Sequence, residues 1–92
     1  MATCKVLIAE PLRLSVEGKA RLKADGDTVM EVLTALGQAH PQLMRLVLHE
    51  TGRFRNGLTV FLNGVDVRYG GGLGAAVKDG DTLNLHAPLL VG

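Results

Sequence analysis

The side chains of this chain that are able to do chemistry are a lone cysteine, Cys4, three histidines, His40, His49 and His86, and the aspartates of two Asp-Gly-Asp segments, 25–27 and 79–81. A thiolate nucleophile needs a basic partner to lower its pKa. Cys4 instead sits in an apolar run, where a free cysteine packs as a small hydrophobe. The histidines have neither the i, i+4 spacing nor the cysteine partners of a metal site, so no metal is expected. Asp25, Asp27, Asp79 and Asp81 read as turn residues that bond their own backbone amides while glycine takes positive φ, in preference to carboxylate pairs for acid–base work or calcium. Gly70-x-Gly72-x-x-Ala75 matches a loosened dinucleotide fingerprint, but the crossover helix, parallel strand and acidic residue that must follow would run beyond Gly92. Gly52 to Gly57 has the glycine spacing of a phosphate loop, with Leu58 where the lysine is required. There remains the C-terminal carboxylate of Gly92. Glycine has no Cβ to block access to its own carboxylate, and the five residues from Pro88 onward carry no charged side chain.

Such a group needs no internal cavity, and the size of the chain agrees. Its 92 residues, 47% apolar with ten basic and nine acidic side chains, make one small domain of formal net charge +1. A domain of this length has little room for a deep enclosed site. Near-neutral charge without a basic stripe argues against a dedicated nucleic-acid binder. One cysteine excludes an internal disulfide framework and fits a reducing compartment. No stretch is apolar enough for a signal peptide or a membrane span, so a cytoplasmic location is expected, with no membrane partner.

The elements that must position the chain end follow from periodicity. Cys4 to Ala9 is apolar and partly β-branched and reads as a first strand ended by Pro11. Ser15 to Ala24 places Val16, Ala20, Leu22 and Ala24 mostly two apart and reads as its hairpin partner, with the connection near residues 11–15. Thr28-Val-Met-Glu31 is a capping box, and Val29, Val32, Leu33 and Leu36 give the helix that follows one apolar stripe. Gln42 to Glu50 predicts a second short helical segment, and Gly52 to Gly57 an exposed loop. Leu58 to Leu62, the turn Asn63-Gly64 and Val65 to Tyr69 form a hairpin, the clearest local signal in the chain. An irregular loop through Lys78 and a turn at 79–81 lead into a last strand, Thr82 to Ala87. The expected class is α+β: a mixed sheet of about five strands with one principal helix packed across it. A folded domain over 1–87 is followed by a flexible tail over 88–92.

Strand alternation also predicts an open sheet face. If Val6, Ile8, Val60, Leu83 and Leu85 face the helix, then Leu7, Phe61 and His86 share the opposite side. Two large apolar residues among polar neighbours suggest a docking patch for a protein partner.

This element order, together with Phe61-Leu-Asn-Gly-Val-Asp-Val-Arg-Tyr-Gly-Gly-Gly-Leu73, then Val77-Lys-Asp-Gly-Asp-Thr-Leu83 and a short tail ending in glycine, resembles the ubiquitin-like β-grasp sulfur carriers of the MoaD and ThiS type. The resemblance implies a carrier protein and not an enzyme. An activating enzyme supplied with ATP and magnesium adenylates the C-terminal carboxylate, sulfur replaces the adenylate, and the thiocarboxylate delivers sulfur to a biosynthetic enzyme. It implies Gly92 as the reacting residue, Leu89, Leu90 and Val91 as the threading tail, and no bound cofactor. Leu7, Phe61 and His86 are implied as partner-binding residues, with Arg68 and Lys78 as further polar contacts. A MoaD-like donor is the expectation, with molybdopterin, thiazole and cysteine all compatible as products. The chain departs from the family pattern at Val91, where such carriers usually have a second glycine. The alternative implied by that departure is a ubiquitin-like interaction module or subunit that binds a partner enzyme without transferring sulfur.

Overall fold

The computed structural model describes residues 1–51, 53–55 and 57–87. Five strands, β1 (Thr3–Ile8), β2 (Arg21–Asp25), β3 (Thr59–Leu62), β4 (Val65–Asp66) and β5 (Thr82–His86), form one sheet in the order β2-β1-β5-β3-β4. The first and last strands, β1 and β5, run parallel at its centre, and every other pairing is antiparallel. The edges are protected by chemistry and by length: β2 is rich in charged residues, and β4 has only two residues.

Helix α1 (Val29–Ala39) lies across the sheet. Its start is the expected cap: the Thr28 hydroxyl accepts the Glu31 amide at 3.2 Å. The Glu31 carboxylate meets that hydroxyl at 3.4 Å. Val29, Val32, Leu33 and Leu36 are buried against Cys4, Val6 and Ile8 of β1, Val60 of β3 and Leu83 and Leu85 of β5. A second helix, α2 (Pro41–Val47), adds Leu43 and Val47 to the same core and is shorter than the predicted 42–50 segment, because Leu48 turns extended. Phe54 bridges back to Leu48 and packs against the core, so the described part of the loop predicted as exposed is partly folded in. Its Gly52 and Asn56 lie outside the described residues.

Two predicted strands are corrected. Residues 15–20 do not belong to β2: Glu10–Val16 forms a 3₁₀ helix that buries Leu12 and Val16. Pro11 suits the first turn of such a helix, and positive φ at Glu17 and Gly18 then turns the chain into β2. Spacing by two along Val16, Ala20, Leu22 and Ala24 therefore concealed a spacing of four between Leu12 and Val16. At the other hairpin the Asn63-Gly64 turn forms as predicted, with both residues at positive φ. Its return strand, however, stops at Asp66. The Asp66 carboxylate accepts the Arg68 amide at 2.9 Å and caps a 3₁₀ turn over Val67–Tyr69, which buries Val67 and leaves Val65 and Tyr69 exposed.

The two Asp-Gly-Asp segments are turns, but three of their four aspartates reach across the fold instead of bonding within their own segment. The Asp27 carboxylate accepts the Ala2 amide at 3.1 Å, and the Gly26 amide returns a bond to the Ala2 carbonyl at 2.9 Å. The Asp79 carboxylate accepts the Thr3 amide at 2.7 Å, and the Gly80 amide returns one to the Thr3 carbonyl at 3.1 Å. Asp25 accepts the Thr3 hydroxyl, and only Asp81 bonds locally, taking the Lys78 amide at 2.8 Å. Both segments thus clamp the start of β1. Their glycines differ: Gly80 is at φ 83°, whereas Gly26 is needed for space, since a Cβ there would lie 2.7 Å from the Val32 amide nitrogen. Gly26→Ala is expected to destabilise the fold by about 2 kcal/mol through displacement of the start of α1, read as a lower urea midpoint at unchanged slope.

Candidate functional site

The open face of the sheet is built by the pairing register. One row crosses all five strands as Arg21, Leu7, Asn84, Phe61 and Asp66, each aligned with the next. A second runs Lys23, Lys5, Thr82, and a third pairs His86 with Thr59. Leu7 and Phe61 are half-buried at the centre of the first row, separated by Asn84. His86 stands edge-on to Phe61, ring centroids 6.3 Å apart and planes at 71°. The structure therefore brings Leu7, Phe61 and His86 onto one face, as alternation predicted.

Arg68 joins this face at its far flank. Its guanidinium grips the Asp66 carboxylate at 2.7 Å from Nη2 and 3.2 Å from Nε, and its Cζ lies 5.9 Å from the centre of the exposed Tyr69 ring. Lys78 is not part of the cluster. It lies near the opposite end of β5 from His86 and lines a shallow groove of about 510 Å³ with Leu62, Asn63, Val65, Val67 and Asp81. Gly92, Leu89, Leu90 and Val91 lie outside the described residues, as does Pro88, and with them the tail predicted over 88–92. The described chain leaves β5 at His86, beside Phe61. Prediction from the apolar residues alone missed the cations Lys5, Arg21 and Lys23 on the same face. The alternation that placed Leu7 places them too.

The other chemically able groups are dispersed. Among the described residues no three His, Cys, Asp or Glu side chains come together to hold a metal ion. Cys4 is wholly buried, and burial pushes its thiol pKa up, the reverse of what a nucleophile needs. Among the described residues no helix is long and apolar enough to cross a membrane.

The ThiS family model matches residues 6–88. Sulfur carrier protein CysO of Mycobacterium tuberculosis is 28% identical over 82 residues, which is 87% of this chain and 88% of that protein. Of solved structures, CysO in the Amycolatopsis orientalis BexX/CysO complex superposes with a TM-score of 0.86 at 32% identity, covering 97% of this chain and 99% of that one. SAMP1 from Haloferax volcanii gives a TM-score of 0.82 at 30% identity, covering 99% of this chain and all of that one.

Two outcomes check the site's physical reading. Cys4 is expected to resist an aromatic disulfide reagent in the native protein and to react at once in denaturant, counted as released thiolate. Hydrogen bonds from Arg68 hold the Asp66 carboxyl below the usual carboxylate range. A lowered folded-state pKa contributes stability that is fully present above about pH 3.9 and is lost as pH falls through the lowered value. The stability difference between wild type and Arg68→Ala is therefore expected to be constant near neutrality and to vanish on acidification, measured by denaturation across pH. Family match, relatives and fold agree: the chain belongs to the ThiS family of ubiquitin-like β-grasp proteins, which places it among small sulfur carriers and not among enzymes.

Proposed function

We propose that this protein carries sulfur on the carboxylate of Gly92. The observation that carries the reading is the ThiS family match over residues 6–88, which the sequence continues through a short uncharged segment to the glycine at position 92. In this reading an activating enzyme binds the carrier, and a Gly92 carboxylate oxygen attacks the α-phosphorus of magnesium-bound ATP, expelling pyrophosphate. A carboxylate is a poor electrophile, and AMP gives it a leaving group. A sulfide-level nucleophile then attacks the acyl carbon, AMP departs, and the thiocarboxylate passes its sulfur to an acceptor biosynthetic enzyme. Leu89, Leu90 and Val91 thread the activating enzyme's channel while Leu7, Phe61 and His86 rest on its surface, flanked by Arg68. Lys78, from its place at the other end of β5, contacts whichever partner reaches that groove. The carrier works in the cytoplasm and binds no cofactor of its own, ATP and magnesium being held by the enzyme. Relatives named CysO favour this class of carrier. A MoaD-like donor to a molybdopterin-forming enzyme is a narrower version of the same reading and differs in the acceptor alone.

Val91 favours a second reading, an interaction module that binds without transfer, because a β-branched residue stiffens and widens the tail beside the reacting carboxylate. One experiment separates them. Incubation with the activating enzyme, ATP, magnesium and a sulfide donor is expected to shift the intact mass of the wild type by one oxygen-to-sulfur exchange. Val91→Gly is expected to speed that shift without altering binding. Exchange seen only with Val91→Gly, at unchanged binding, would select the module; exchange in neither removes the carrier function.

A further inference from the structure

The open face carries a feature that sulfur chemistry does not require. Lys5 and Lys23 stand directly opposite each other on β1 and β2. The Ile8 amide bonds the Ala20 carbonyl and the Gly26 amide bonds the Ala2 carbonyl, so the hydrogen-bonded positions of this antiparallel pair are 8/20 and 2/26, and by alternation 4/24 and 6/22. The pair 5/23 falls between them, at a non-hydrogen-bonded position where opposed side chains are closest, and like charges facing each other there oppose strand pairing. Arg21, opposite Leu7, extends the same cationic flank. All three cations are exposed, and among the described residues none has a carboxylate within salt-bridge distance. The two carboxylates that the strands place on this face are already engaged, Asp25 by the Thr3 hydroxyl and Asp66 by Arg68.

We infer that the Lys5–Arg21–Lys23 flank is an anion seat for the activating enzyme, which presents carboxylates beside an apolar projection that settles on Leu7 and Phe61. This rests on the carrier reading for the identity of the partner. Charge complementarity singles out such a surface. The cations are continuous with the apolar centre through the aligned row Arg21-Leu7-Asn84-Phe61, so one rigid partner surface meets both. A polyphosphate backbone would cover the cations but would also have to desolvate Leu7 and meet the acidic side of the Asp66–Arg68 pair. A carrier that must engage and then leave its enzymes gains from a contact that speeds encounter more than it deepens affinity.

The test uses the full chain and the purified activating enzyme, with association followed by stopped-flow and transfer by intact mass. Lys23→Glu places a carboxylate opposite Lys5, so it is expected to raise Tm while slowing association about tenfold or more. Lys5→Gln is expected to raise Tm slightly and slow association less. A merely structural role for these lysines would move stability and binding in the same direction. Raising salt from about 0.1 M to about 1 M, which shortens the Debye length from about 10 Å to about 3 Å, is expected to slow the wild type and leave Lys23→Glu almost unchanged. The inference is overturned if the wild type does not bind the enzyme, if its association ignores both salt and Lys23→Glu, or if Lys23→Glu lowers Tm and association together. It is also overturned if the lysines govern binding to a single-stranded oligonucleotide or self-association in the ultracentrifuge and not enzyme association. Salt-dependent, lysine-dependent association without any mass shift would leave the anion seat standing and remove the transfer function alone.

Discussion

Everything in this fold depends on the parallel pairing of its first and last strands. Lys5 to Ile8 align with Thr82 to Leu85, so the centre of the sheet joins two segments more than seventy residues apart. A parallel pair needs a long crossover, and the residues between β1 and β5 supply both the helices that cover one face and the strands that complete the sheet. The start of β1 is held by main-chain bonds from both Asp-Gly-Asp turns, one leading into α1 and the other into β5. Helix, sheet centre and chain exit are therefore referenced to the same two residues, Ala2 and Thr3.

That arrangement divides the sheet into two chemistries. The inner face is closed, with Cys4, Val6, Ile8, Val60, Leu83 and Leu85 buried beneath the helices. Among the described residues no layer covers the outer face, and its apolar centre, Leu7 and Phe61, is bordered by lysine and arginine on one flank and by the Asp66–Arg68 pair on the other. The central strand β5 ends at His86, beside that apolar centre.

Much of this was legible in the residues because period-two alternation and turn chemistry are local. The capping box at Thr28, the Asn63-Gly64 hairpin, β1, β3, β5 and the shared side of Leu7, Phe61 and His86 were all written that way. The failures have physical causes of the same scale. Leu12 and Val16 are four apart and serve a 3₁₀ helix, but Val16 also fits the alternation of the strand that follows. Val65, Val67 and Tyr69 alternate perfectly, yet the Asp66 side chain captures an amide two residues ahead and ends the strand. The reach of Asp27 and Asp79 to the start of β1 could not be read locally, since those bonds span 25 and 76 residues. Lys78 shows the limit of a motif: its segment resembles the family, but its position in space is set by a turn at the other end of β5.

The central place of β5 also bears on how the sheet is assembled. Among the strands of the sheet β5 is made last, and until it arrives β1 and β3 have no common neighbour. A chain released early lacks the middle of its sheet, and with it the alignment of Leu7 with Phe61 that forms the open face. A product that lacks β5 therefore has no assembled open face. Placing β5 at the middle of the sheet ties possession of that face to the presence of all five strands.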